Sequence, residues 1–261
     1  MTPTPDNEFG MEGYTPSTYG EAFADVYDDW YADLDDADFV EAVVAQLPPS
    51  PVRVLELGVG TGRLIAQFLA LRPNPEDQIF GIDSSQAMLH VAKQQFLKTS
   101  VQLVQGDFSQ TLPDGPFDAI FVGYNTLFNL PDHAAVLRCL TLASERMADH
   151  GILHIDAVAP RADEPGDHVG IRSLTTGEVV LSVSRHDPHE QRITGQFIQF
   201  VHGEKVHLRP WAVRYVSPKQ LDDMATQSGL TLMSRTADGR GTPYVAGADR
   251  HVSRYVTESP R

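Results

Sequence analysis

The sequence predicts an α/β fold: a doubly wound, mostly parallel sheet, with a helical lid before it and an antiparallel β segment inserted late in the chain. Three observations carry this. Short β-rich runs alternate with amphipathic helical runs between Val52 and Ile155. A glycine-rich turn joins the first strand of that series to its first helix. Beyond Pro160 the texture changes to successive β-rich runs with no helix between them.

The start, residues 1–18, is rich in Pro, Gly and acids and reads as a flexible tail. From Tyr19 the aromatics Phe23, Tyr27, Trp30 and Tyr31 recur at three- and four-residue steps, which predicts an amphipathic helix. Phe39, Val43 and Leu47 predict a second, ended by Pro48 and Pro49. Residues 19–48 are therefore expected to form a lid. A core is expected over 49–160 and 216–261. Its strands are Val52–Leu57, Gln78–Ile82, Val101–Val104, Phe117–Val122 and Gly151–Ile155. Its helices are Thr61–Leu71, Gln86–Phe96 and about Asp132–Met147. Right-handed crossovers place the strand C-termini along one edge. Residues 161–215 form the insert: a loop over Arg161–His168, then strands over Val179–Arg185, Ile193–Val201 and Lys205–Tyr215. Pro218–Gln227 is a helix opened by proline, and Leu230–Ser234 and His251–Val256 are the last strands.

Composition limits the function. A net charge of -15, with twelve acids ahead of the first basic residue, Arg53, repels phosphate backbones, so no nucleic-acid partner is expected. An acidic rim suits a neutral or cationic small molecule, or serves only solubility. No apolar run approaches the roughly 20 residues of a membrane span, and no targeting segment is read, so cytoplasmic residence is expected. The single cysteine, Cys139, excludes an internal disulfide.

The sharpest signal is VLELGVGTGRL, Val54–Leu64. Gly58, Gly60 and Gly62 allow a tight turn and let a ligand approach the backbone, and the helix start offers free N–H donors. Glu56 separates two ligand classes. A carboxylate there favours an amino group or sulfonium and repels a pyrophosphate. Asp83, 21 residues past Gly62, suits ribose hydroxyls, or caps a helix with Ser84 or Ser85. Met88 is an adenine neighbour or plain core. Gly106, Asp107 and Phe108 suit an adenine, by close backbone approach, an acceptor and an apolar face; a surface turn is the plainer reading. Three acids at three successive strand ends are more specific than any one.

These stretches, LELGVGTG, IFGIDSS, VQGDF and FDAIFVGYNTLFNL, resemble the class I, Rossmann-like S-adenosylmethionine-dependent methyltransferases. The resemblance implies a seven-stranded sheet with an antiparallel last strand, and S-adenosylmethionine as cofactor. It implies that the LELGVGTG loop holds the methionine part, Asp83 the ribose and Asp107 the adenine. YGEAFADVYDDWY and YNTLFNL also resemble antibiotic amino-sugar N,N-dimethyltransferases, which implies secondary metabolism. No metal ligand set is placed on the chain; His186 and His189 around Asp187 lack a fixed spacing.

Methyl transfer needs an aligned nucleophile and exclusion of water. Tyr124 and Asn125, leaving the fourth strand beside Gly123, are candidates for contact with the reacting groups. Asp156 and His154, at the end of the fifth strand, are candidate bases, with His186, His189 and His207 behind them. Tyr19, Tyr27 and Tyr31 are expected to reach the cofactor from the lid, whose Asp28 and Asp29 are read as solvated. Phe23, Phe128, Trp211, Arg214 and Tyr215 are candidate walls of an acceptor pocket. The acceptor is a small molecule with an N or O nucleophile, and the protein a monomer or homodimer. A nicotinamide oxidoreductase and a non-catalytic cofactor-binding scaffold are the competing readings.

Overall fold

The computed structural model describes residues 8–34, 36–158 and 165–257. Its centre is a seven-stranded sheet: β1 (Arg53–Leu57), β2 (Gln78–Asp83), β3 (Gln102–Gln105), β4 (Phe117–Val122), β5 (Met147–Val158), β10 (Leu230–Thr236) and β11 (Arg250–Thr257). The order across the sheet is β10-β11-β5-β4-β1-β2-β3. β11 runs antiparallel to both neighbours, and β1 to β5 are parallel. The doubly wound, mostly parallel sheet and its antiparallel last strand are thus as the sequence predicts.

Alternation along each strand sorts the core into two layers. Leu55, Leu57, Ile120 and Val122 face α6 (His133–Arg146) and α7 (Pro218–Gln227). Val54, Ile79, Ala119 and Phe121 face α3 (Ala37–Val44) and α4 (Arg63–Leu71). The helices of the first layer, α6 and α7, carry local start signals. Asp132 Oδ1 accepts the Ala135 N–H at 2.7 Å. Ser217 and Gln220 form a capping box with Pro218 in the first turn of α7.

Sheet order reverses between β1 and β4, the neighbours whose crossovers leave in opposite directions. Their outgoing loops face each other: a Cβ built on Gly58 would lie 2.2 Å from Thr126 Cγ2. Such a reversal opens a crevice at the strand C-termini.

Over that edge lies a second, antiparallel sheet in the order β6-β7-β8-β9: β6 (Gly166–Leu174), β7 (Glu178–Asp187), β8 (Arg192–Val201) and β9 (His207–Arg214). Its first strand departs from expectation, because part of it falls where a loop is predicted; residues 161–164 of that loop lie outside the described residues. Gly166–Leu174 carries few apolar residues in alternation, and its partner β7 supplies the pairing that local pattern does not.

The N-terminal region also differs. Residues 1–7 of the expected tail lie outside the described residues, but Phe9 and Tyr14 are buried against Ala212 of β9. The single lid helix is two short ones, α1 (Thr18–Phe23) and α2 (Tyr27–Trp30). Val26, at φ -123, breaks the helix between them. The break lets Asp25 meet Arg209 of β9 while Asp28 accepts from Thr61 in the glycine turn at 2.6 Å. Asp28 is therefore bonded where solvation is expected.

Candidate active site

The glycine turn and the ends of β2 and β3 shape one cavity of about 680 Å³, counting the solvent at its mouth. Gly58, Gly60, Asp83, Ser84, Met88, Asp107 and Phe108 line it, with Tyr14, Pro16, Tyr19, Gly20 and Tyr27 from the lid side. Asp83 is fixed at the floor: Oδ2 accepts the Gly60 N–H and Oδ1 the Ser85 N–H, both at 2.8 Å. Burial raises its carboxyl above the usual range. It is not the cap of α5 (Gln86–Gln95). Ser85 is, accepting from Met88 N, while Glu21 of the lid takes the Ser85 hydroxyl and the Ala87 N–H. Ser84 donates to the Pro16 carbonyl at 2.9 Å. Asp107 accepts the Ser109 N–H, so it holds its own turn while lining the cavity.

A smaller chamber of about 300 Å³ lies behind the glycine turn and is lined by Glu56, Arg63, Gly123 and Tyr124. Glu56 is almost wholly buried. It accepts the Ile65 N–H at the head of α4, and its Oε2 has no protein partner. Desolvation holds its carboxyl well above the usual range, against the pull of Arg63. A solvated strand-end acid is excluded by that burial.

A third cavity, about 850 Å³, opens between lid and inserted sheet. Tyr19, Tyr27, Tyr31, Tyr124, Asn125, Thr126, Asn129, Arg172, Phe197, Trp211 and Val213 line it. Tyr27 and Thr126 line all three spaces and mark their junction. Tyr19 donates to the Tyr31 hydroxyl at 3.3 Å. Burial raises Tyr19 well above its ordinary value and Tyr27 to about 12, so both stay phenols at neutral pH. Tyr124 and Asn125 hold positive φ, 39° and 61°, at the end of β4. Asn125 Oδ1 accepts the Val158 N–H at 2.7 Å, which leaves its amide N–H groups for the cavity.

Several predicted residues are not brought to these spaces. His154 is fully buried in β5 with neither ring nitrogen bonded, and burial pushes it down to about 3. Asp156 is engaged by Arg250, Nε at 2.7 Å and Nη2 at 3.0 Å. Neither is available as a base. Their strand reaches the correct edge, but one side chain packs into the sheet and the other joins an ion pair. His186 bonds the Tyr215 hydroxyl at 2.9 Å. His189 lies 3.7 Å from Glu190, and His207 lies 3.3 Å from Glu204. Gly62 and Gly106 do not line the cavity. A Cβ on Gly62 would meet Phe96, and one on Gly106 would meet Ile82, so both serve close packing. Phe23 stands behind the wall, stacked on Tyr19 at 4.3 Å. Phe128 and Tyr215 belong to the core, and Arg214 reaches Glu190 instead.

The sequence reading missed Arg172, Thr126, Asn129 and Phe197. Thr126 and Asn129 open and close a 3-10 turn, Thr126–Asn129, and residues three apart eclipse in such a turn. Their signal lay within YNTLFNL. Arg172 carried none, being on the unpredicted strand.

The architecture has a full-length counterpart. The CcbJ methyltransferase from Streptomyces caelestis is 30% identical, with a TM-score of 0.84 over 94% of this chain and 100% of that one. The chain belongs to the S-adenosylmethionine-dependent methyltransferases. A methyltransferase domain matches residues 54–148. The 2-phytyl-1,4-naphtoquinone methyltransferase of Synechococcus elongatus is 41% identical over 93 residues, 34% of this chain and 39% of that protein, so the chain spans about two fifths of that relative's length. The sugar N-methyltransferase KedS8 from Streptoalloteichus sp. shares the fold at 21% identity and a TM-score of 0.68, over 95% of this chain and 99% of that one.

Within this methyltransferase the cofactor is S-adenosylmethionine, and the residues present fit it. A buried carboxylate oxygen without a partner faces a small chamber, Gly60 leaves open space where a Cβ would stand, and Asp83 is pinned at the cavity floor. The nicotinamide reading falls with the family. Among the described residues no helix is long and apolar enough to cross a membrane.

Proposed function

We propose that this protein moves the methyl group of S-adenosylmethionine to a nitrogen or oxygen of a small molecule held between lid and inserted sheet. One observation carries the reading: Tyr27 and Thr126 border the cofactor-shaped cavity, the chamber of Glu56 and the outer cavity at once. A donor in one space and an acceptor in another meet there.

In this reading Asp83 accepts from the ribose hydroxyls, with Ser84 at its side. Asp107, Phe108 and Met88 surround the adenine. Glu56 receives the amino group of the methionine part; Gly60 leaves room for it, and Gly58 and Gly123 let the lining pack closely against Thr126 and Leu64. Tyr19 and Tyr27 close the space from the lid, and Tyr31, expected at the cofactor, lies on the outer-cavity side and holds the Tyr19 hydroxyl. Bound S-adenosylmethionine supplies an electrophilic methyl on a sulfonium. The residues align, exclude water and offer electron-rich ring faces to a cationic centre. Tyr124 and Asn125 position the acceptor, and Trp211 forms its wall.

Among the described residues, no carboxylate or imidazole lines the outer cavity. The nucleophile therefore arrives with its lone pair free, as a neutral amine or an ionised oxygen, and any proton leaves to solvent after transfer. Cytoplasmic residence, a monomer or homodimer, and no nucleic-acid partner complete the proposal; the charge of -15 supports the last.

The test is calorimetry with S-adenosylhomocysteine on the wild type and Asp83→Ala, alongside turnover with a panel of amines and phenols. Loss of a charged acceptor of two ribose bonds is worth about 3–4 kcal/mol, or on the order of 10²–10³-fold in affinity. Unchanged affinity in the variant sinks the site, and binding without turnover across the panel favours a non-catalytic scaffold.

A further inference from the structure

The outer cavity contains one charged side chain among its described lining residues, and it is a cation, Arg172. In a chain of 35 acids and 20 basic residues this is unexpected. Its placement has a local cause. β6 pairs with β7 through Ile171↔Leu181 and then Ser173↔Val180, so Arg172 is an extra residue opposite no partner. Such a bulge re-aims a side chain. Ile171 is exposed away from the cavity, whereas Arg172, itself solvent-exposed, lines it.

Three rings hold the guanidinium there. Its carbon lies 4.8 Å from the Trp30 centroid, 5.0 Å from Phe197 and 5.2 Å from Tyr31. One N–H, from Nη2, reaches the Trp30 carbonyl at 2.9 Å. No carboxylate among the described residues pairs with it. Arg209, by contrast, also lies over Trp30 but is paired with Asp25. A guanidinium has five donors in a rigid fork that matches a carboxylate. Aromatic faces fix its plane without occupying those donors. Stacked, and without a carboxylate partner among the described residues, it is preorganised for an anion from outside.

We infer that Arg172 reads a carboxylate on the methyl acceptor, so that the substrate class is a small carboxylated amine or phenol. This rests on the outer cavity being the acceptor site. It also departs from the sequence reading that an acidic rim suits a neutral or cationic substrate or serves only solubility, because the charge at this wall has the opposite sign.

The chain has two tryptophans. Trp30 lies under Arg172 and Trp211 lines the same cavity, so intrinsic fluorescence reports on this site. The experiment titrates benzoate and benzamide against the protein saturated with S-adenosylhomocysteine, in the wild type, Arg172→Gln and Arg172→Lys. Expected is benzoate binding about tenfold or more tighter than benzamide in the wild type, a ratio near one in Arg172→Gln, and an intermediate ratio in Arg172→Lys. Equal binding of the two probes by the wild type, or discrimination that survives in Arg172→Gln, overturns the inference. Calorimetry of S-adenosylhomocysteine on the same three proteins keeps the two readings apart. Normal cofactor binding with no discrimination rejects only the role of Arg172. Absent cofactor binding in the wild type rejects the proposed function itself.

Discussion

Replacing Glu56 by glutamine should make the free protein more stable and the cofactor complex weaker. The carboxylate sits at the head of α4 and near Arg63, two attractions of about 0.3–1 kcal/mol each. Against them stands a buried oxygen with no partner, which costs about 1–3 kcal/mol or more when charged. Burial wins, as the raised carboxyl shows. The amide keeps the bond from the Ile65 N–H and removes the charge. A net gain of about 1 kcal/mol corresponds to a melting temperature roughly 2–4 °C higher for a chain of this size. The pH dependence has a definite sign. An acid whose folded pKa is raised leaves stability intact below its unfolded pKa, and the loss grows as the pH rises through the folded pKa, above which it is complete. The advantage of Glu56→Gln is therefore largest on the alkaline side and shrinks as the pH falls toward the carboxylate range. Binding moves the other way. Loss of one charge-assisted hydrogen bond to an amino group weakens S-adenosylhomocysteine by about 1.5–3 kcal/mol, roughly 10–100-fold. Thermal melts from about pH 5 to about pH 9 and calorimetry measure both. A variant that melts lower than wild type while binding within a factor of about two would refute the reasoning, because Glu56 would then be a structural cap and nothing more.

Two further outcomes follow from buried charge. Arg250→Ala leaves Asp156 and Asp38 buried and without their cation. With the arginine itself about a quarter exposed, discounting for solvent leaves a loss of about 2–3 kcal/mol, seen as a melting temperature about 5–10 °C lower; Arg250→Lys should recover part of it, and an unchanged melt in the alanine variant would count against the ion-pair assignment. His154 is lowered from 6.5 to about 3, so the neutral ring is the folded form. Its contribution is complete above the unfolded value and is lost as the pH falls from about 6.5 toward about 3, on the order of 4 kcal/mol over the full range. In His154→Phe, denaturant melts should show a shallower acid slope with turnover retained; parallel slopes would show that another group sets the acid limb.

How much of this was legible depended on what made each residue recognisable. The glycine turn, Asp83 and Asp107 were legible because a strand, a bend and an acid recur at fixed intervals. β4 and α7 matched expectation to the residue, since Phe117–Val122 is bounded by polar turns and Pro218 opens its helix. His154 and Asp156 were placed correctly in the topology and wrongly in role. Which of two alternating faces points to a cavity is set by the layers packed on it, and a single strand does not record that. Phe23, Phe128 and Tyr215 failed for the same reason: aromatic character identifies a residue to be buried, not the space it borders. Arg172 was illegible because a bulge exists only relative to the neighbouring strand.

The acids of the N-terminal region admit a more specific reading than solubility. No basic residue precedes Arg53, and the region cannot satisfy its own carboxylates. Its partners come from elsewhere in the chain. Glu21 accepts from the Ser85 hydroxyl and the Ala87 N–H at the head of α5, Asp25 takes Arg209 from the inserted sheet, and Asp28 takes Thr61 from the glycine turn. Asp36 takes Arg63, and Asp38 takes Arg250 and the Gly239 N–H. Each pair bridges distant parts of the chain, and together they set the lid over the edge where the three cavities meet. The surface pairs among them are worth little singly. Their value lies in register: five acids meeting five separate positions admit one placement of Tyr19, Tyr27 and Tyr31. A surplus of one sign on one segment is thus how this chain directs a short, broken helix onto its core, where apolar burial alone would leave the orientation of those rings open.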